Sequence, residues 1–514
     1  MTLTLHSSYA LSTGTLLVLY FVIKRLMSFI NAYRFCKANG CKPARKLPQQ
    51  ERIIGLQEFH KQVASAKAKV FLREIQKQFQ EMGNTFSTVV LGTELVMTIE
   101  PENVRAILST NFKDYGLGKR MTSMGPLLGN GIFTSDGSDW EHSRALVRPS
   151  FIKSRVADLD SYESHIQNLI ARIPTDGSSV DLQPLFHQLT LDSATEFLLG
   201  ESVHCLTSPP GSPQQLFGHN FDVAQNLIWD RVRMGDLVWL TWFQSNKALY
   251  AACKFVHDYV DKFVQRALQH RHHANVAHGD EKGKAKYIFA NELAQVTDDP
   301  LRIRTELLNI LLAGRDTTAG LLSNTFHVLA RRPDIWAKLA QEVNELGGRK
   351  PDYETLRSMK YLKRVLNETL RLYPSVSINV RFPNKNTVLP TGGGPDGKSP
   401  LFIKKGNSVA YSVYSMHRRK DLFGEDAEEY RPERWETIRA GWEYLPFNGG
   451  PRICVGQQFA LTEAGYTIVR LVQEFKSVES RDPREWLEGL NLTLNSGNGV
   501  HVAMTPGEKT THNT

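Results

Sequence analysis

The residues with the most chemistry in them lie in FNGGPRICVG, residues 447 to 456. Phe447, Gly450, Arg452, Cys454 and Gly456 fit F-x-x-G-x-R-x-C-x-G, five fixed residues that ordinary frequencies would produce about once in 10⁶ to 10⁷ starts. Three glycines and a proline rule out regular helix or strand. The stretch then runs into QQFALTEAGYTIVRLVQEF, whose apolar spacing is helical. A cysteine at the start of a helix meets free amides and the positive end of the helix dipole, and both favour thiolate. Gly450 and Gly456 let backbone pass close to a flat cofactor, while Phe447 shields the sulfur from water. A thiolate so placed is an axial ligand for haem iron.

A second group of reactive residues is AGRDTT, 313 to 318. Ala313 and Gly314 take volume off one helix face, leaving room for a diatomic ligand and a substrate. Asp316 and Thr317 put a carboxylate and a hydroxyl beside that gap, suited to relaying protons while dioxygen is reduced. Glu368 and Arg371, three apart in NETLRLYP, share a helix face and can pair, with Arg434 of RPERW as a further cation. Trp140 and Arg144 stand one turn apart on a helix that an S-x-x-E box, Ser138 with Glu141, would cap. GGGPDGKS, 392 to 399, formally matches a phosphate loop, but Pro400 and an alternating strand pattern follow where that motif needs a helix. It reads as a hairpin tip.

These groups need long helices to hold them. Residues 301 to 332, between Pro300 and Pro333, form the longest helix candidate, ~48 Å if unbroken. A helix is expected over 60 to 83, a hairpin over 85 to 99, and mostly helix from 138 to 370. Short strands and turns follow beyond 375. The His-rich stretch 269 to 286 reads as a solvated loop, and His417 as structural. The expected organisation is an N-terminal membrane anchor over 1 to 30, a proline-bearing hinge over 31 to 50, one catalytic domain over 51 to 505 and a tail over 506 to 514. The uncharged run from Met1 to Ile23 is followed at once by Lys24, Arg25 and Arg34, which keeps the bulk of the chain cytosolic.

Composition agrees with one large globular unit: 514 residues, 41% hydrophobic and 22% charged. Five cysteines with no C-x-x-C pair suit a reducing compartment and exclude a disulfide framework or structural zinc. The net charge of +9 fits an acidic protein partner or an anionic membrane surface. It is spread along the whole chain, with no basic helix or aromatic-interleaved patch, which argues against nucleic acid.

From the anchor to about residue 505 the chain resembles a cytochrome P-450, a haem-thiolate monooxygenase. It is most similar to the fungal membrane-bound class that hydroxylates n-alkanes and fatty acids, which shares Arg315 in AGRDTT and Trp435 in RPERW. The resemblance implies a mainly α fold with a smaller β-rich lobe, haem b as cofactor and Cys454 as the iron ligand. It also implies propionate contacts from Arg144, Arg452, Arg381 and Trp140, and a structural ion network of Glu368, Arg371 and Arg434. NADPH–cytochrome P-450 reductase at the endoplasmic reticulum would supply electrons, with cytochrome b5 as a second donor, since no dinucleotide fingerprint or flavin segment is present. SVSINVRFP departs from the class, with Ser377 and Ile378 placed near the expected substrate cavity. That leaves terminal hydroxylation of long chains as the main reading and tailoring of a secondary metabolite as its rival. A haem-thiolate isomerase or dehydratase is disfavoured by the intact Asp316 and Thr317.

Overall fold

The alternating stretch 85 to 98 folds as the expected hairpin, Thr85–Val90 pairing antiparallel with Thr93–Thr98. Its tight turn puts Leu91 (φ 50°) and Gly92 (φ 77°) in the left-handed region, the turn geometry that matches strand twist. In the computed structural model, which describes residues 2–51, 53–152, 158–276 and 287–507, this hairpin lies inside a six-stranded sheet. The strand order is Arg45–Lys46, Thr85–Val90, Thr93–Thr98, Ser408–Ser412, Ile378–Pro383 and Tyr115–Gly116. Phe86, Val96, Val409 and Tyr411 pack beneath it as the core of the smaller lobe. The rest of the described chain is mainly helical, the expected fold class.

The long helix spans Pro300–Leu329, three residues short of the expected end. Asp299 caps it, its side chain accepting from the amides of Leu301 (2.9 Å) and Arg302 (3.2 Å). The helix threads two hydrophobic cores. Ile303, Leu307 and Leu311 belong to one built with helices Pro213–Arg233 and Lys247–Val276. Ala319, Leu322 and Phe326 belong to another built with Lys360–Leu372 and Gln457–Glu474. The segment 313 to 318 lies where one core hands over to the other.

Several expectations are corrected. The helix over 60 to 83 is two helices, Leu56–Lys67 and Phe71–Met82, broken at Lys69, whose φ of 59° cannot continue a helix. The S-x-x-E box does not form: the Trp140 helix, Gly137–Val147, starts after Asp136 without a side-chain cap. Residues 31 to 50, expected as a hinge, are helical as far as Ala38. Helix continues from Thr2 to Ala38, and the chain then binds the hairpin Thr387–Gly393/Ser399–Ile403 through Lys42 N to Pro400 O (2.9 Å) and Gly394 N to Pro43 O (2.9 Å). GGGPDGKS is the tip of that hairpin, as expected. The anchor's side chains up to residue 14, residues 277–286 of the His-rich stretch and residues 508–514 of the tail lie outside the described residues. Among the described residues no helix is long and apolar enough to cross a membrane.

Candidate active site

The cysteine loop closes on itself. The Cys454 amide donates to the Phe447 carbonyl (3.0 Å) and the Ile453 amide to the Gly450 carbonyl (3.1 Å), a fold-back that ends where helix Gln457–Glu474 begins. Asn448 takes a left-handed φ of 64° and its side chain accepts from the Tyr411 hydroxyl (3.0 Å), tying the loop to the sheet. Packing alone requires Gly450: at φ 66° a Cβ would lie 1.9 Å from the Leu108 carbonyl oxygen. At Gly456 a Cβ would meet only the Phe151 ring, at an ordinary 3.6 Å.

The Cys454 thiol is exposed to the space beside it. Burial by protein on its other sides raises its pKa, while the Gly456 amide and the Arg144 cation pull it down. The helix start alone therefore does not make a thiolate, because desolvation of the charge outweighs it; a bound cation such as iron would.

A cluster of arginines lies beside the loop, with Arg144 acting on the thiol itself. Arg144 donates to the Ile453 carbonyl (3.0 Å), and Arg452 reaches the Ser135 carbonyl (3.0 Å) and the Asp136 carboxylate (2.6 Å) while stacking 4.5 Å over Trp140. Arg381 is buried and donates only to a neighbouring carbonyl, that of Val380 (2.9 Å). Arg120, absent from the sequence reading, joins them. Burial, then the like charges of Arg381 and Arg452, push its pKa down to about 10. Arg452 is also held down at about 10, by burial and by Arg381 and Arg144 against the pull of Asp136. Buried like charges persist where a counter-anion is meant to sit, and the propionates of haem supply one. Only this mutual crowding could have revealed Arg120; as one cation in GKRMTS it carries no motif.

On the long helix, buried almost throughout, Ala313, Gly314 and Thr317 alone among residues 305 to 329 are only part-buried, and they share one face. A Cβ on Gly314 would meet nothing within 4 Å. The Thr317 hydroxyl donates to the Ala313 carbonyl (2.7 Å), and Ser375 donates to the Thr317 carbonyl (3.3 Å). Val376, the next residue, is exposed, whereas Ser377 is buried and bonded to Pro374 O (2.9 Å). Of the pair expected near the substrate cavity, Ser377 is thus buried and Ile378 half-buried against the core of the smaller lobe. An accessible thiol, an open helix groove and an unbalanced set of cations fit haem.

Asp316 does not share the groove. Its carboxylate turns to a polar cavity of about 720 Å³, where Gln225 donates to Oδ2 and where Arg315 Nη1 and His187 Nδ1 stand 3.4 and 3.5 Å from Oδ1. Burial opposes ionisation there, but Arg315, His187 and Gln225 win and hold the pKa at about 2.

The ion network is as expected and more extensive. Arg371 grips Glu368 bidentately (2.9 and 2.8 Å), both fully buried, and also donates to the carbonyls of His417 (2.9 Å), Ala427 (2.5 Å) and Glu429 (3.0 Å). Arg434 (3.2 Å), the Arg431 amide (2.9 Å) and the Trp435 indole (3.0 Å) also donate to Glu368. His417 connects this network to the cysteine loop: it pairs with the Arg371 carbonyl through Nδ1 (3.1 Å), and its Nε2 accepts from the Leu445 amide (2.9 Å).

Comparison with known proteins agrees with this arrangement. The family model described as cytochrome P-450 matches residues 54–501. The cytochrome P-450 monooxygenase himC of Aspergillus japonicus is 48% identical over 501 residues, 97% of this chain and 90% of that one. The monooxygenase fsdH of Fusarium heterosporum is 42% identical over 503 residues (96% and 88%), and cytochrome P-450 52A13 of Debaryomyces hansenii 43% over 440 (82% and 83%). The chain therefore belongs to the cytochrome P-450 family and is a haem-iron monooxygenase.

Proposed function

We propose that this monooxygenase hydroxylates long-chain fatty acids or n-alkanes at or near the terminal carbon, drawing them from the endoplasmic reticulum membrane on whose cytosolic face it lies. Haem b, bound between Cys454 and the long-helix groove, supplies oxygen activation, with electrons from NADPH through a separate reductase. Arg120, Arg144, Arg381 and Arg452 would hold its propionates. The observation that carries the substrate class is the segment Gly235–Phe243: Trp242 is 87% and Phe243 81% exposed, which core packing would forbid. Indoles and phenyl rings so exposed belong in a lipid interface, where an apolar chain would be captured. The likeness to cytochrome P-450 52A13 and the Arg315 variant of the oxygen-binding segment support the same reading.

The chain's own residues set the chemistry. The Ala313–Gly314 groove would admit a narrow chain end. The Thr317 hydroxyl holds a proton at the groove through its bond to Ala313, and Asp316 holds the negative charge that draws protons in from the polar cavity. Reconstitution with reductase, NADPH, dodecanoic acid and hexadecanoic acid tests the proposal by mass spectrometry of products. Terminal or next-to-terminal alcohols support it. Turnover of a polycyclic compound with none of either acid would instead make this a tailoring enzyme, the reading that the likeness to himC and fsdH keeps in view.

A further inference from the structure

The cavity behind the long helix is walled by polar side chains and lies away from Cys454. Buried polar atoms face it without a hydrogen-bond partner among the described residues: His187 Nδ1, Gln225 Oε1, Arg315 Nε, Asp316 Oδ1 and Ser496 Oγ. Such atoms are tolerated inside a protein when water reaches them, and about 720 Å³ is ample room for it. The cavity is open enough to leave the His187 side chain partly accessible.

His187, on helix Leu182–Leu199, lines the cavity beside Arg315 and Asp316 of the oxygen-binding helix. Gln225 occupies Asp316 Oδ2, and Arg315 is shared between Asp222 and Asp316. Oδ1 is the oxygen left to exchange a proton, and His187 Nδ1 is 3.5 Å from it, one small ring rotation short of a hydrogen bond. Asp316, held ionised by Arg315, keeps a proton only in passing, so each delivery needs a donor standing beside it. An imidazole can take a proton from water on one side and pass it on at the other near neutral pH.

We propose that His187 loads Asp316 with protons from this cavity. The assignment rests on the reading that Asp316 and Thr317 relay protons during turnover. His187 acts through Asp316 and is a positioning residue, not a catalytic one. Charges bearing on its ring come from the long helix (Arg315 and Asp316) and from helix Pro213–Arg233 (His219, Asp222 and Arg233). Glu488 and Lys69 add theirs at the cavity's other wall.

In the holoenzyme with its reductase, NADPH and dodecanoic acid, His187→Ala and His187→Gln are expected to keep the carbon monoxide difference spectrum of the wild type. They should divert several-fold more electrons to hydrogen peroxide and lose the wild type's change in that fraction between about pH 6 and 8. An unchanged fraction, or a rise equal at every pH, overturns the assignment. Asp316→Asn in the same assay separates the two levels: if it uncouples while His187→Ala does not, the relay stands and His187 has no part in it. If neither uncouples, the relay itself is wrong. Independently of turnover, carbethoxylation of His187 by diethyl pyrocarbonate, followed by peptide mass spectrometry of the wild-type holoenzyme, should increase as pH rises. No reaction at His187 overturns the proposal even if the His187 variants fail to fold, because water then does not reach the ring.

Discussion

Cys454 and Thr317 separate binding from chemistry. Cys454→Ala removes the only thiol in the loop, and FNGGPRIAVG offers iron no other ligand. The variant should lose the thiolate signature of the reduced carbon monoxide spectrum and all oxygenase activity, while far-ultraviolet circular dichroism stays that of a folded protein. Thr317→Ala should retain that spectrum and continue to oxidise NADPH, but product formed per NADPH should fall about 10²-fold or less, within the range that a positioned proton donor contributes. Unchanged coupling would remove Thr317 from the relay. Cys454, Thr317, Glu368 and Arg371 were legible in the sequence because their motifs are local: spacing along one loop or one helix face already states the chemistry. Arg120, and the backbone contact at Gly450, were not. Each depends on what packing brings against it, Arg381 and Arg452 in one case and the Leu108 carbonyl in the other, and neither neighbour is near in sequence.

At the scale of elements, helix Lys360–Leu372 holds the cysteine loop through His417. Burial keeps this imidazole's pKa at about 3, against about 6.5 for a free histidine, so the folded state holds it neutral. The unfolded chain therefore takes up the proton first as pH falls. The stabilisation is complete above about pH 6.5 and is lost progressively toward pH 3. Protonation would also deny the Leu445 amide its acceptor. Acid unfolding followed by haem release should show wild type losing stability more steeply than His417→Gln between about pH 6.5 and 4. Parallel curves would mean that His417 is not held neutral. His327, kept down at about 4 by burial and Arg331, contributes a slope common to both proteins, so only their difference is diagnostic. Arg371→Ala is expected to cost about 3–5 kcal/mol in denaturant unfolding, since it strands a buried carboxylate. The elements were legible where period and cap agree, as in the Asp299-capped long helix. They were misread where tertiary contacts decide: nothing in AKAKV announces the break at Lys69, and the strap at Lys42 to Lys46 takes its strand from pairing with Phe86 and Ser87.

At the scale of the whole molecule, apolar surface is left exposed in two places far apart in sequence. Leu19, Phe21, Leu26, Phe29 and Tyr33 lie open along helix Thr2–Ala38, and Trp239, Trp242 and Phe243 lie open on the segment after helix Pro213–Arg233. The chain just after the N-terminal helix is bonded to the sheet lobe through Lys42 and Pro43, and the proposed membrane contact would involve both patches. The second patch should then contribute to membrane affinity without the first. Burying one Trp or Phe side chain yields about 1.5–3 kcal/mol, which is ~10- to 100-fold in partitioning. A chain lacking residues 2–38 should still sediment with phospholipid vesicles, more weakly than the full chain. Adding Trp242→Ser and Phe243→Ser to the truncated protein should release it, with oxidation of a water-soluble short-chain substrate preserved and oxidation of vesicle-dissolved hexadecanoic acid reduced. Equal vesicle binding by the truncated proteins with and without the two substitutions would show that Gly235–Phe243 does not meet the membrane, and that apolar substrate enters elsewhere.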